Sequence, residues 1–303
     1  MASNIVEFFG YSPEDKSSEA CQARKLFECP FVGKPCSKTL SNGEKSGACT
    51  LKLQRTEPVI ICPDRLYAEN YKILQDVAQI AFGEEVALVP GHQIRSTEAS
   101  SSGIAKVAVF GKRWGGELSL PSRGNSGSYF VDWVLAKLTA DGQVESFVAV
   151  EVQSIDTTGN YQSERLAYLA DDVFSGASTA GLNWENVNKR ILPQLIYKGN
   201  VLRREGLCTK GLFFVCPKQV YEKIIKRLGT TLATYPHQTG ALTFMWYDID
   251  ADVNAGETRK LVQAGHMTTT VEQVANAFAS PGSLPPANVY ADAINRALRS
   301  DTV

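Results

Sequence analysis

Two groups of residues in this 303-residue sequence have the types and spacing to do chemistry. The first is Cys29, Cys36, Cys49 and Cys62, separated by six, twelve and twelve residues. Four thiolates can hold one tetrahedral metal, and such a site contributes folding free energy directly. The stretch that carries them is rich in Gly, Ser, Lys and Pro and poor in apolar positions, so something besides hydrophobic burial is expected to order it. The spacing is not the paired CxxC of common zinc modules, and four reduced, buried thiols remain the competing reading. Cys208 and Cys216 flank an apolar run and read as core residues, while Cys21 falls in a predicted helix.

The second group is acidic. Asp132 stands in Tyr-Phe-Val-Asp-Trp-Val-Leu, and Glu151 and Gln153 stand in Phe-Val-Ala-Val-Glu-Val-Gln. Alternation along a strand puts Glu151 and Gln153 on one face. A carboxylate among such neighbours is costly unless it is paired or holds a cation. Two oxygen ligands from adjacent strands, completed by water and a phosphate, would hold Mg²⁺; a salt-bridged or solvent-facing pair is the plainer alternative. Glu117, in Gly115-Gly116-Glu117, is a third acid that reads equally well as an exposed loop residue. Other chemistries lack support. The three histidines (His92, His237, His266) lie outside any HExxH or G-x-S-x-G context, and there is no Walker loop or dinucleotide fingerprint.

These side chains need elements to position them. Residues 128–138 and 146–154 are β-branched and aromatic runs joined across Asp141-Gly142, which predicts an antiparallel hairpin bearing Asp132 on one strand and Glu151 on the other. Helical spacing marks 63–82, 162–174, 184–202, 219–228, 271–279 and 287–299, and strands are expected at 105–110, 211–216 and 242–249. Ser12-Pro13-Glu14-Asp15 reads as a helix start, with that helix running to Phe27. The sum is a mixed α/β fold: an N-terminal helix and cysteine loop over residues 1–65, and a larger domain over 66–303.

Composition sets limits. With 44% hydrophobic and 21% charged residues the chain is of ordinary globular type, and no apolar run approaches a membrane span, so a soluble, unexported protein is expected. The formal charge of −1 conceals segregation. Between Lys189 and Arg227 ten basic residues face two acids, a local +8 that leaves −9 for the remainder. Lys189, Arg190, Arg203 and Arg204 are the residues of that stretch expected to meet a phosphate backbone, against the plainer reading of solvated helix faces.

The sequence resembles type II restriction endonucleases of the NotI and EagI kind. Phe9-Gly10-Tyr11-Ser12 through Cys29-Pro30-Phe31 to Ile60-Ile61-Cys62-Pro63, and Gly116-Glu117 through Val131-Asp132-Trp133 to Val150-Glu151-Val152-Gln153, carry the likeness. The resemblance implies a PD-(D/E)XK nuclease core with a small metal-binding appendage. Cys29, Cys36, Cys49 and Cys62 would hold structural iron, for which zinc is the alternative, and Asp132 and Glu151 would hold catalytic Mg²⁺. Gln153 and Glu117 would complete the catalytic set. It further implies a bacterial, cytoplasmic homodimer that cuts GC-rich palindromes in double-stranded DNA, leaving 5′-phosphate and 3′-hydroxyl ends, beside a cognate methyltransferase that is not a subunit. The common nuclease pattern ends in Lys where Gln153 stands, and Gln carries no charge. A non-catalytic, metal-containing DNA-binding protein on a degenerate nuclease fold is the competing expectation.

Overall fold

The computed structural model describes residues 3–83, 85–94, 104–118, 130–172, 174, 176, 178–229, 232–280 and 286–300. In chain order the main elements are β1 (Ser3–Phe8), α1 (Ser18–Leu26), β2 (Ala48–Leu53), β3 (Val59–Ile60) and α2 (Ala68–Phe82). There follow β4 (Val86–Pro90), β5 (Ala105–Gly111), β6 (Trp133–Leu138), β7 (Val144–Val152), α3 (Gln162–Leu169) and α4 (Leu192–Leu202). Last come β8 (Leu212–Pro217), α5 (Lys218–Leu228), β9 (Ala241–Ile249), β10 (Leu261–Thr270), α6 (Val271–Ala279) and α7 (Val289–Ser300).

Strands β4 to β10 form one seven-stranded sheet whose spatial order follows the chain. The β4/β5, β7/β8 and β8/β9 pairs are parallel and the others antiparallel. This is a mixed α/β architecture. The period of two along β7 and β8 sorts the core into two layers. Val148, Val150, Phe213 and Val215 pack with Ile73, Leu74 and Val77 of α2. Ala149, Leu212, Phe214 and Cys216 pack with Leu192 and Leu195 of α4, Val220 and Ile224 of α5, and Val274 of α6. In α5 the buried Val220, Ile224 and Leu228 recur every four residues, which is why that helix lies flat on the sheet.

The N-terminal residues form a second, three-stranded antiparallel sheet in the order β1, β2, β3. Ile5, Phe8 and Leu51 belong to the same buried cluster as α4 to α6, and Cys29, Phe31 and Cys49 to the cluster under α2. A fully buried ion pair ties this sheet to the rest. Glu7 accepts from Arg65 Nε at 2.9 Å and from Thr50 Oγ1 at 2.5 Å, and Arg65 Nη2 donates to the Arg259 carbonyl at 2.6 Å.

The expected hairpin is present as β6 and β7, with Trp133 opposite Val150; Ser128 and Tyr129, expected to begin it, lie outside the described residues. The first helix differs from expectation. It begins at Ser18, because Ser17 Oγ takes the Ala20 N–H at 3.2 Å, and Ser12 instead closes a turn to Asp15. The helix expected over 63–82 is divided into a 3₁₀ turn, Pro63–Tyr67, and α2, with Glu69, Asn70 and Tyr71 at φ of 55°, 55° and 61°. Those left-handed residues put the Tyr71 ring 5.4 Å from Trp133 and let Glu69 accept from Leu261 N at 2.8 Å, so long-range contacts set the backbone there. Residues 187–191 form a wide π turn just before Pro193, which has no N–H to return to the preceding turn. Strand β10 was not expected. Its Gly265 lies opposite Trp246, where a Cβ would come within 2.4 Å of the indole, so the residue that weakens the strand pattern is the one the partner ring requires.

Arg65→Met leaves Glu7 charged and buried without its partner and should lower unfolding stability by about 3–5 kcal/mol. Removing both charges in Glu7→Met/Arg65→Met should restore much of that loss, as measured by denaturant unfolding.

Candidate active site and cysteine cluster

The hairpin brings three of the expected residues together. Asp132, Glu151 and Gln153 line one cavity of about 280 Å³ with Pro63, Tyr67, Lys112, Arg113, Trp133 and Val152. Asp132 immediately precedes β6, and its Oδ2 accepts the Val152 N–H at 2.8 Å, so the acid of one strand is fixed by the backbone of the next. Glu151 lies in β7 opposite Phe214 of β8, and Gln153 continues the ladder by donating its N–H to the Val215 carbonyl at 3.0 Å. Glu117 is exposed and lines an adjoining hollow of about 160 Å³ that shares Lys112 and Asp132 with the cavity holding Glu151.

Burial governs the electrostatics. It raises the Asp132 pKa, partly opposed by the Val152 N–H and by Lys198 and Arg113. Burial, followed by the neighbouring Asp132 charge, pushes Glu151 up to about 7, again partly opposed by Lys198. Lys198 reaches from α4 to place Nζ 2.5 Å from Glu151 Oε1, with both side chains largely buried. Glu151 Oε2 is buried and has no hydrogen-bond partner among the described residues. A buried carboxyl with one unsatisfied oxygen, beside a second carboxyl open to the cavity, is a donor set suited to a hard divalent cation. Lys198 is one of the ten basic residues of the cationic stretch, and its pairing with a buried acid sets it apart from the others.

That stretch does not form one stripe. Lys189 pairs with Glu185 at 3.2 Å and Arg190 with Asp156 at 3.2 Å, while Arg203 and Arg204 are exposed at the far end of α4, about 20 Å away at 1.5 Å per helical residue. Lys223 covers the Trp184 ring and Arg227 the Phe278 ring. The cations lining the cavity, Lys112 and Arg113, come instead from the turn after β5.

The four N-terminal cysteines are all buried, and each lies within electrostatic reach of the other three. Burial pushes the thiol pKa of Cys29 up to about 11, that of Cys62 up to about 12, and that of Cys49 well above its ordinary value. Lys38, whose Nζ donates to the Ile61 carbonyl at 2.9 Å, is a cation within the same field. Among the described residues no group of three or more His, Cys, Asp or Glu side chains is arranged to hold a metal ion. The donor types and their burial suit a tetrahedral sulfur site, and all four are free thiols. Among the described residues no helix is long and apolar enough to cross a membrane.

Comparison with curated proteins gives no match. A family model described as restriction endonuclease NotI matches residues 15–259, a span that includes the cysteine loop, the hairpin, the basic stretch and all but the last strand of the large sheet. The chain therefore belongs to the NotI restriction-endonuclease family, and its activity is of the nuclease type.

Proposed function

We propose that the protein is a type II restriction endonuclease with a PD-(D/E)XK-like core, cleaving double-stranded DNA at a GC-rich palindrome as a homodimer with Mg²⁺. The observation that carries this reading is the carboxylate pair, Asp132 at the cavity mouth and the buried Glu151, in one cavity that also presents Lys112 and Arg113. Asp132 and Glu151 would hold the cation, which when bound supplies positive charge to the phosphoryl group and eases deprotonation of water. Lys198 engages one Glu151 oxygen and leaves the other to the cavity. Gln153, a neutral donor and acceptor, orients the attacking water. Attack forms a P–O bond to that water and breaks the P–O3′ bond, giving a 5′-phosphate and a 3′-hydroxyl. A palindromic site matches the two-fold axis of a homodimer. Glu117, across the Asp132 wall, has an accessory place in this scheme.

Cys29, Cys36, Cys49 and Cys62 would hold structural iron, or zinc, in a unit formed by residues 1–65, with residues 66–303 as the catalytic and DNA-binding unit. Lys189, Arg190, Arg203 and Arg204 would contact the DNA backbone from the two ends of α4. The setting would be a bacterial cytoplasm with a separate methyltransferase protecting the host sites.

Glu151→Gln keeps the shape of the site and removes a ligand charge; cleavage of a GC-rich plasmid in Mg²⁺ should fall by at least about 100-fold, while binding of the cognate fragment persists. Cleavage by this variant at the normal rate would sink the assignment, and a wild-type protein that binds but never cuts under any divalent cation would favour the non-catalytic alternative.

Because burial holds Glu151 protonated up to about pH 7, the cation must displace a proton below that pH. Calorimetric titration of the DNA-free protein with Ca²⁺ should show affinity falling about tenfold per pH unit below 7 and levelling off above it. A flat profile from pH 6 to 8 contradicts the role given to Glu151.

Elemental analysis of the purified protein should find about one iron or zinc per chain, lost in Cys49→Ser together with thermal stability. A stable, metal-free wild type would remove the sulfur site from the proposal.

A further inference from the structure

The turn after β5 carries a cation whose setting differs from that of a surface arginine. Arg113 lines the cavity that holds Asp132 and Glu151, and its charge reaches Asp132. Its Nη2 lies 2.5 Å from Asp64 Oδ1, and Asp64 is only 2% exposed. The guanidinium lies over the Tyr67 ring, 5.4 Å from its centroid, and Tyr67 is itself a wall of the cavity. Asp64 is fixed from behind by Ser37 Oγ, 2.6 Å from Oδ2. The arginine is therefore held on two sides, by a buried anion and by an aromatic face. Asp64 engages one nitrogen of a group with five N–H donors, so most of its donors remain for another oxyanion. Such a planar fork is suited to a phosphate.

We propose that Arg113 binds a phosphodiester oxygen of the nucleic acid in the catalytic cavity, positioned there by Asp64. The assignment rests on the nuclease reading above and adds a substrate contact outside the hairpin and outside the basic stretch 189–227. In the absence of nucleic acid Asp64 is its counter-ion, which explains how a cation can stand beside an acidic site without collapsing onto Asp132 or Glu151. With a phosphate present the fork spans Asp64 and the phosphate oxygen at once, so the arginine need not reorganise as the strand enters.

Replacing Arg113 alone would strand the buried Asp64 charge, so the variant of choice is Asp64→Asn/Arg113→Gln, which keeps a neutral hydrogen-bonding pair. Binding of a cognate fragment is measured in Ca²⁺ between 50 and 200 mM salt, on the order used to read phosphate contacts. The slope of log affinity against log salt should become shallower by about one for each cavity, and cleavage in Mg²⁺ should fall by about 100-fold. A double variant that melts like the wild type and keeps the wild-type slope overturns the proposal. A second measurement needs no variant: the arginine reagent phenylglyoxal, applied to wild-type protein with and without the cognate fragment in Ca²⁺, should modify Arg113 several-fold more slowly when DNA is bound. Equal modification overturns the proposal. Wild-type cleavage in Mg²⁺ runs beside both, and its absence would sink the nuclease reading itself, which is a separate result.

Discussion

Two carboxyl groups held side by side at the end of a hydrophobic sheet are the constraint around which the rest of the molecule is arranged. Loss of water around the cavity raises both pKa values, and the Asp132 charge raises that of the buried Glu151 further. The fold offsets this with groups from three places: the Val152 N–H within the hairpin, Lys198 from α4, and Arg113 from the turn after β5, which Asp64 holds in place. None of these alone neutralises the pair. Among the described residues one buried Glu151 oxygen has no partner, and an unsatisfied buried oxygen costs about 1–3 kcal/mol. That deficit is what a bound cation would relieve, so the site is destabilised in the direction of its ligand.

The cysteine loop and the cavity share a wall. Cys62 is followed directly by Pro63, Asp64, Arg65 and Tyr67 of the 3₁₀ turn. Pro63 and Tyr67 line the cavity, Asp64 pairs with Arg113, and Arg65 pairs with Glu7 of β1. Ser37, next to Cys36, closes the link from the other side of the loop. The Tyr67 hydroxyl accepts from Trp133 Nε1 at 3.2 Å, one residue from Asp132. A disturbance of the four sulfurs therefore reaches the acidic site through two residues of one short turn. The residues next to Cys36 and Cys62 are thus part of the cavity wall and its supports.

The hairpin was legible because it rests on local signals: alternation, a tight Asp-Gly turn, and acids that break the apolar pattern. The same holds for α5 and α6, whose apolar residues recur at helical spacing. What was not legible was set by partners distant in sequence. Strand β10 contains a glycine that only Trp246 explains, β4 is a short edge strand, and the left-handed Glu69 to Tyr71 are held by Leu261 and Trp133. The helix start moved from Ser12 to Ser17 because both serines have the capping chemistry and only the turn at Ser12 to Asp15 distinguishes them. Within the site, carboxylates announce themselves by being out of place in an apolar strand. Cations do not, since lysine and arginine are expected on any helix face or turn, and so Lys198 and Arg113 could not be separated from their solvated neighbours.

This asymmetry bears on Gln153. At the position where a lysine is common the chain carries a neutral side chain, and the local positive charge is delivered by Lys198 from a helix about fifty residues further on. A lysine at 153 would lie on the same face of the same strand as Glu151, two residues away, and would compete with Lys198 for the one acid both could reach. In the proposed scheme the charge comes from beneath the sheet, and position 153 would be free to carry a group that both donates and accepts. The segregation of charge along the sequence thus has two physical meanings. Most of the basic residues between 189 and 227 meet solvent, rings or surface acids, and one of them completes the carboxylate site.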